Sequence, residues 1–179
     1  MHINRIAVIG SGTMGSGIAQ VLARAGLKVL LHDANPHVLE QSLTTIAARL
    51  RQQSAKGQLG PAACETAIAA LRGSDQLAAL ADAEMVIEVV PERLDLKVDV
   101  FTRLGQLAAP ETILASNTSG LDIDALAQAA GRPEKVIGMH FFNPPPVMPL
   151  IEIVRAAETS AATCATVMAL AERLGKTPI

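Results

Sequence analysis

Two hydrophobic rhythms alternate along this chain: short runs that are apolar throughout, and longer stretches in which apolar residues recur every three or four positions. The first run is Ile6, Ala7, Val8 and Ile9. It has no interleaved polar face, which predicts a strand buried on both sides of a parallel sheet. Residues 14–25 then read as a helix, with Ile18, Val21 and Leu22 on one face. A second apolar run, Val29 to Leu31, continues into His32 and Asp33. Pro36 is well placed to start a helix, and Val38, Leu39, Leu43, Ile46, Ala47 and Leu50 repeat at helical intervals behind it. Gly57, Gly60 and Pro61 break that pattern, and a second helix over about 62–71 returns toward the sheet. Residues 36–72 or so therefore predict a helical hairpin inserted after the second strand. Beyond it come a strand over 85–90, a helix over 94–107, a strand over 112–115, a short helix over 124–130, and two strands around 136–141 and 150–154.

The turn between the first strand and first helix changes the picture from fold to chemistry. Gly10, Gly12 and Gly15 have the G-x-G-x-x-G spacing, with a strand before it and a helix after it. Gly10 permits the tight turn, Gly12 lets a pyrophosphate approach the backbone, and Gly15 lets the helix pack close. The second apolar run ends in an acid, Asp33, which would accept from the adenosine ribose hydroxyls and repel a 2′-phosphate. No arginine follows it, only Ala34, Asn35 and Pro36. The expectation is a Rossmann-type, doubly wound, mostly parallel sheet in one domain spanning 1–179, binding NAD rather than NADP.

Composition narrows the classes. Half of the 179 residues are hydrophobic and 18% are charged, which suits one well-cored globule. A net charge of −2 gives no electrostatic case for nucleic acid or an anionic membrane. Tyr and Trp are absent, so stacking platforms for single strands are missing too. Met1, His2 and Ile3 lead directly into the first strand, leaving no room for a signal peptide, and no apolar run is long enough for a membrane span. Cys64 and Cys164 have no metal spacing and read as reduced thiols of a cytoplasmic protein; no metal site is expected.

Several polar residues sit where ligands bind, at the carboxyl ends of predicted strands. Glu92 follows the third strand pattern. Lys97 lies in the first turn of the next helix, where the dipole disfavours a cation, so it is expected to face something other than solvent. Ser116, Asn117, Thr118 and Ser119 form a run of small polar side chains, equally readable as a ligand loop or as the cap of the next helix. His140 ends a strand, a proline-rich turn folds the chain back, and Glu152 lies between Ile151 and Ile153 in the returning strand. An acid so flanked needs a partner, and His140 is the obvious one; a carboxylate fixes the imidazole tautomer and makes a general base. His2, His32 and His37 read as structural or exposed. Ser42 and Arg49, seven apart, share a face of the insert with Arg51 and Lys56, read on its own as a solvated basic face.

On IGSGTMG, VIEVVPERLDLK, ASNTSGL and GMHFFNPPPVMPLIEIV, the chain resembles the NAD-binding domain of the 3-hydroxyacyl-CoA dehydrogenase family over essentially its whole length. The resemblance implies His140 as catalytic base, Glu152 as its orienting acid, and Ser119 in contact with the reacting oxygen. Gly10, Gly12, Thr13, Met14, Gly15 and Asp33 would hold the dinucleotide. Glu92, Lys97, Asn117 and Asn143 would line the cofactor, with Lys97 and Asn117 nearer the nicotinamide half. Ser42 and Arg49 match the spacing of a serine and a basic residue that bind coenzyme A. The reaction implied is NAD-dependent oxidation of a (3S)-3-hydroxyacyl-CoA, as in fatty-acid β-oxidation. The family pattern continues into a helical domain that completes the acyl cleft and makes most contacts of a homodimer, so this domain alone is expected to bind NAD with little turnover. Pro145, Pro146 and Pro149 make the histidine turn richer in proline than most acyl-CoA members. That keeps open a dehydrogenase of a free 3-hydroxy acid, of L-gulonate or carnitine type; a non-catalytic NAD-binding module is the remaining alternative.

Overall fold

The computed structural model describes residues 3–179. The start at Met1 and the expectation for His2 lie outside the described residues.

Among the described residues, eight strands form one sheet. β1 (Arg5–Ile9) leads through the glycine turn into α1 (Thr13–Arg24), and β2 (Lys28–His32) follows. Alternate residues of β1 point to opposite faces: Ile6 and Val8 join one core, Ala7 and Ile9 the other. That two-sided burial is why the run carries no polar residue. The insert is a pair of helices, α2 (Pro36–Ala55) and α3 (Pro61–Ala69), each begun by proline at a first-turn position. Asn35 caps α2, its side chain accepting from the N–H groups of His37 and Val38. The hairpin ends earlier than the periodicity predicts. Leu71 and Arg72 belong instead to β3 (Leu71–Ser74), which pairs parallel with β2 at the sheet edge. Only Leu71 of this strand is buried, so it leaves no apolar run to read.

β4 (Met85–Glu88), α4 (Leu94–Leu107), β5 (Ile113–Ser116), α5 (Ile123–Ala130) and β6 (Val136–Phe141) continue the winding. β7 (Leu150–Arg155) returns antiparallel to β6. It is followed by α6 (Ala161–Arg173) and the two-residue β8 (Thr177–Pro178), which pairs parallel with β7. The spatial order is β3-β2-β1-β4-β5-β6-β7-β8. The order reverses between β1 and β4, and ligands in open α/β sheets bind in the crevice at the carboxyl ends beside such a reversal. One core layer packs α1, α2, α3 and α6 on the sheet, with Ile18, Leu22, Ile46 and Leu50 fully buried. The other packs α4 and α5 through Phe101, Leu104 and Leu126. No helix among the described residues is long and apolar enough to cross a membrane.

Candidate active site at the carboxyl edge of the sheet

The glycine turn is built as its spacing predicts. Gly10 has φ +98°, and a Cβ there would lie 2.7 Å from the Val89 carbonyl oxygen. At Gly15 a Cβ would sit 1.8 Å from the Gly10 carbonyl oxygen, so α1 seats against the turn only through glycine. Gly12 meets nothing within 4 Å. It leaves bare backbone at the start of α1, whose first turn has no side-chain cap and no acid. Uncapped N–H groups at a helix start, with open space before them, fit a pyrophosphate.

A cleft of about 890 Å³ opens in front of this turn. Gly10, Gly12, Thr13, Met14 and Gly15 line it, with Asp33, which follows β2 on one side of β1, and with Glu92, Asn117, Ser119, His140 and Asn143, which belong to or follow β4, β5 and β6 on the other. The structure thus brings most of the expected residues to one cavity; Glu152, Lys97, Ser42 and Arg49 are not among its walls. Asp33 accepts from the Ser11 N–H at 2.9 Å and hydroxyl at 2.8 Å through Oδ2, and from the Asn35 N–H at 3.0 Å through Oδ1. A carboxylate has about four acceptor positions, so one remains for a ribose hydroxyl. Partial burial pushes Asp33 up. The hydrogen bonds from Asn35 and Ser11 outweigh it and hold the carboxyl below the ordinary aspartate range.

His140 and Glu152 are register partners across the β6–β7 ladder, so their side chains stand side by side on one face. His140 Nδ1 lies 3.2 Å from Glu152 Oε2. With Nδ1–H donating to the carboxylate, the other ring nitrogen is left with its lone pair free. The Phe142 ring packs against the imidazole at 4.8 Å between centroids. Glu152 is more open than its apolar neighbours imply, with its side chain 45% exposed, because the outer half of β7 is uncovered. Of the other histidines, His32 donates from Nδ1 to the Ser74 carbonyl at 2.9 Å, and His37 contacts Gln41 on the surface.

The polar run after β5 divides by role. Asp122, and no member of the run, caps α5. The Ser116 hydroxyl donates to Glu88 Oε2 at 2.6 Å, and Thr118 donates to Glu92. Asn117 Oδ1 accepts from the Phe141 N–H at 2.8 Å, tying β5 to the histidine strand. Ser119 is held by its own N–H, which donates to Glu92 Oε1 at 3.0 Å, leaving the residue exposed on the cleft wall.

Lys97 requires a correction. It is wholly buried and does not line the cleft; its Nζ donates to Glu88 Oε1 at 2.7 Å and lies 3.5 Å from Glu92 Oε2. It does face something other than solvent, but that is Glu88. Glu88 went unnoticed in the sequence because a lone acid ending an apolar strand gives no periodic signal. Ser42 and Arg49 also part company. The Ser42 hydroxyl donates to the Ser11 carbonyl at 2.6 Å, back onto the glycine turn. Arg49 lines a separate cavity of about 320 Å³ between α1, α2 and the proline turn, and Ser42 is not among its walls. Gln20 and Gln53, which the sequence did not single out, line this cavity with buried side-chain oxygens that lack a partner. The two cavities share Thr13 and Asn143.

Glu92, like Asp33, has a depressed carboxyl. Burial raises it, but the Thr118 hydroxyl, the Ser119 N–H and Lys97 together bring it below the ordinary value of 4.5. A carboxylate whose folded value lies below its unfolded one contributes stability above the unfolded value, and that contribution is lost as pH falls through the folded one. Thermal unfolding followed from about pH 7 to about pH 3 is therefore expected to show a falling Tm, with a shallower fall in Glu92→Gln. Parallel curves would remove Glu92 from that account.

Comparison with known proteins agrees with this geometry. The pattern of "3-hydroxyacyl-CoA dehydrogenase, NAD binding domain" matches residues 5–179. A probable 3-hydroxybutyryl-CoA dehydrogenase of Deinococcus radiodurans is 44% identical over 98% of this chain and 63% of its own length. One of Bacillus subtilis is 42% identical over the whole of this chain and 62% of its own. The crystal structure of 3-hydroxybutyryl-CoA dehydrogenase from Escherichia coli superposes with a TM-score of 0.98 at 40% identity, covering all of this chain and 38% of that one. The chain thus spans less than two thirds of these relatives. Matched from its first strand to its last residue, it belongs to the 3-hydroxyacyl-CoA dehydrogenase family, of which it forms the NAD-binding domain.

Proposed function

We propose that this domain serves an enzyme that oxidises a (3S)-3-hydroxyacyl-CoA to the 3-oxoacyl-CoA. The observation that carries the proposal is His140, held by Glu152 through Nδ1, on the wall of the same cleft as the glycine turn. When bound there, NAD supplies the nicotinamide ring that accepts the hydride from C3 of the substrate. His140, through the nitrogen not bonded to Glu152, takes the proton of the C3 hydroxyl. Glu152, accepting from Nδ1–H, holds that proton on the imidazole and favours the imidazolium that forms. Ser119 stands on the wall to hydrogen-bond the reacting oxygen, and Asn117 and Asn143 line the cofactor side.

The coenzyme A part rests on the joined cavities. A ligand with its reacting carbon beside His140 can pass Thr13 and Asn143 and reach Arg49, whose guanidinium suits a phosphate. A helical domain after Ile179 would close the acyl cleft and make a homodimer, and the unpaired Cys64 and Cys164 fit a cytoplasmic setting.

The test is NAD reduction by (3S)-3-hydroxybutyryl-CoA against L-gulonate and L-carnitine, in a protein that carries the helical domain. Turnover of a free acid and not the thioester would overturn the assignment. Arg49→Ala is expected to raise KM for the CoA ester about tenfold with kcat unchanged, the size of one lost charge-assisted contact. An unchanged KM takes Arg49 out of substrate binding.

A further inference from the structure

Beneath the cleft wall lies a set of charges that the proposed chemistry does not use. Glu88 ends β4, the strand between β1 and β5, and is fully buried. Its Oε1 accepts from the Val90 N–H at 2.6 Å and from Lys97 Nζ at 2.7 Å, and its Oε2 from the Ser116 hydroxyl at 2.6 Å. Lys97, equally buried, also donates to the Val90 carbonyl at 3.2 Å and lies 3.5 Å from Glu92. Glu92 in turn holds Thr118 and the Ser119 N–H. A continuous polar path therefore runs from the central strand to the loop that presents Ser119.

Such a pair contributes little stability, because desolvation of both ions offsets most of their attraction and an apolar pair of equal volume packs as well. Its position has a more specific consequence. Two carboxylates share one ammonium, so the set carries an excess negative charge, and the member open to the cleft is Glu92, its side chain 43% exposed. A carboxylate held at a fixed distance from the ring distinguishes a cationic from a neutral ligand; one free to swing into water is screened more fully.

We propose that Glu88 and Lys97 are positioning residues that hold Glu92 in place on the cleft wall, and that this fixed charge makes the site favour the cationic oxidised nicotinamide over the neutral reduced ring. The inference rests on the dehydrogenase reading above, which puts the nicotinamide beside His140, on the same side of β1 as Glu92. It requires Glu88 and Lys97 to act through Glu92, a relation that simple structural support does not have.

The experiment is calorimetric titration of NAD+ and NADH into the wild type, Glu88→Gln/Lys97→Met, Glu92→Gln and the triple variant, with Tm recorded for each. The double variant removes both buried charges while keeping their shapes, so its Tm is expected within about 5 °C of the wild type. Its Kd for NAD+ is expected to rise roughly tenfold while that for NADH changes less than about twofold. Glu92→Gln is expected to give the same change in ratio alone and to add nothing to the double variant, as for residues that act as one unit. Equal weakening of both nucleotides, or an undiminished effect of Glu92→Gln in the double background, overturns the proposal. Ser116→Ala trims one hydroxyl from Glu88 and is the variant to use if the double one does not fold. It is expected to move the ratio about twofold in the same direction, and an unmoved ratio again overturns the proposal. Failure of the dehydrogenase reading is seen separately, as absence of turnover with every substrate by a wild-type protein that carries the helical domain and retains the nucleotide preference.

Discussion

Replacing His140 by glutamine is expected to lower kcat for a 3-hydroxyacyl-CoA by about three orders of magnitude, the central size of a general-base contribution. Glutamine is close in length, and its amide can still donate to Glu152, so the β6–β7 ladder and the Phe142 packing stay in place. What is lost is the free lone pair that the imidazole presents to the cleft. KM and the Kd for NAD+ are accordingly expected to stay within about twofold, because the defect exists only where the proton moves. Glu152→Gln should fall between this variant and the wild type. It leaves the base in position but removes the negative charge that favours its protonated form, and its 45% exposed side chain already shares that stabilisation with water. The measurement is steady-state turnover in a protein that carries the helical domain, paired with NAD+ titration. A His140→Gln protein that retains its rate would assign the base elsewhere and leave the pair as a ladder contact.

These residues were legible in the sequence for identifiable reasons. Pro36 and Pro61 announce helix starts because proline is compatible with only one end of a helix. Gly10 and Gly15 are read correctly because close approach of Val89 and Gly10 leaves no room for a side chain. His140 and Glu152 are found because a charged residue between Ile151 and Ile153 has few ways to be satisfied. The misreadings have physical reasons too. β3 buries one residue and so imitates the end of a helix. Strands covered on both faces have no polar side, so alternation cannot say that Glu88 points inward and Glu92 toward the cleft. Lys97 gave a true signal with a misassigned partner: the dipole argument detects discomfort at a helix start but not the direction in which the ammonium is satisfied. Ser42 and Arg49 share a helix face, yet seven residues are about two turns apart, far enough for one to reach the glycine turn and the other a different cavity.

The second large effect is expected at Asp33. Asp33→Ala should weaken NAD+ roughly tenfold to a hundredfold through loss of a charge-assisted contact to the ribose. It should weaken NADP+ far less, because the same substitution removes a carboxylate facing the 2′-phosphate. Two unit charges about 4 Å apart near a protein surface repel by up to about 4 kcal/mol, so the preference ratio is expected to shift by up to about a thousandfold. Asp33 also organises the protein itself, accepting from Ser11 and from Asn35, the residue that caps α2. Truncation therefore loosens the turn as well as the ribose site, and affinity alone would confuse the two. Asp33→Asn separates them. Its carboxamide keeps the side-chain shape while removing the charge, so charge repulsion of the phosphate disappears in full; its one oxygen can still accept from Ser11, while the Asn35 N–H loses its acceptor. If charge sets the preference, both variants show the shifted NAD+/NADP+ ratio, and alanine lowers Tm more than asparagine. A ratio that moves with alanine alone would instead make geometry at Ser11 the source of cofactor choice, and the acid at the end of β2 a structural anchor.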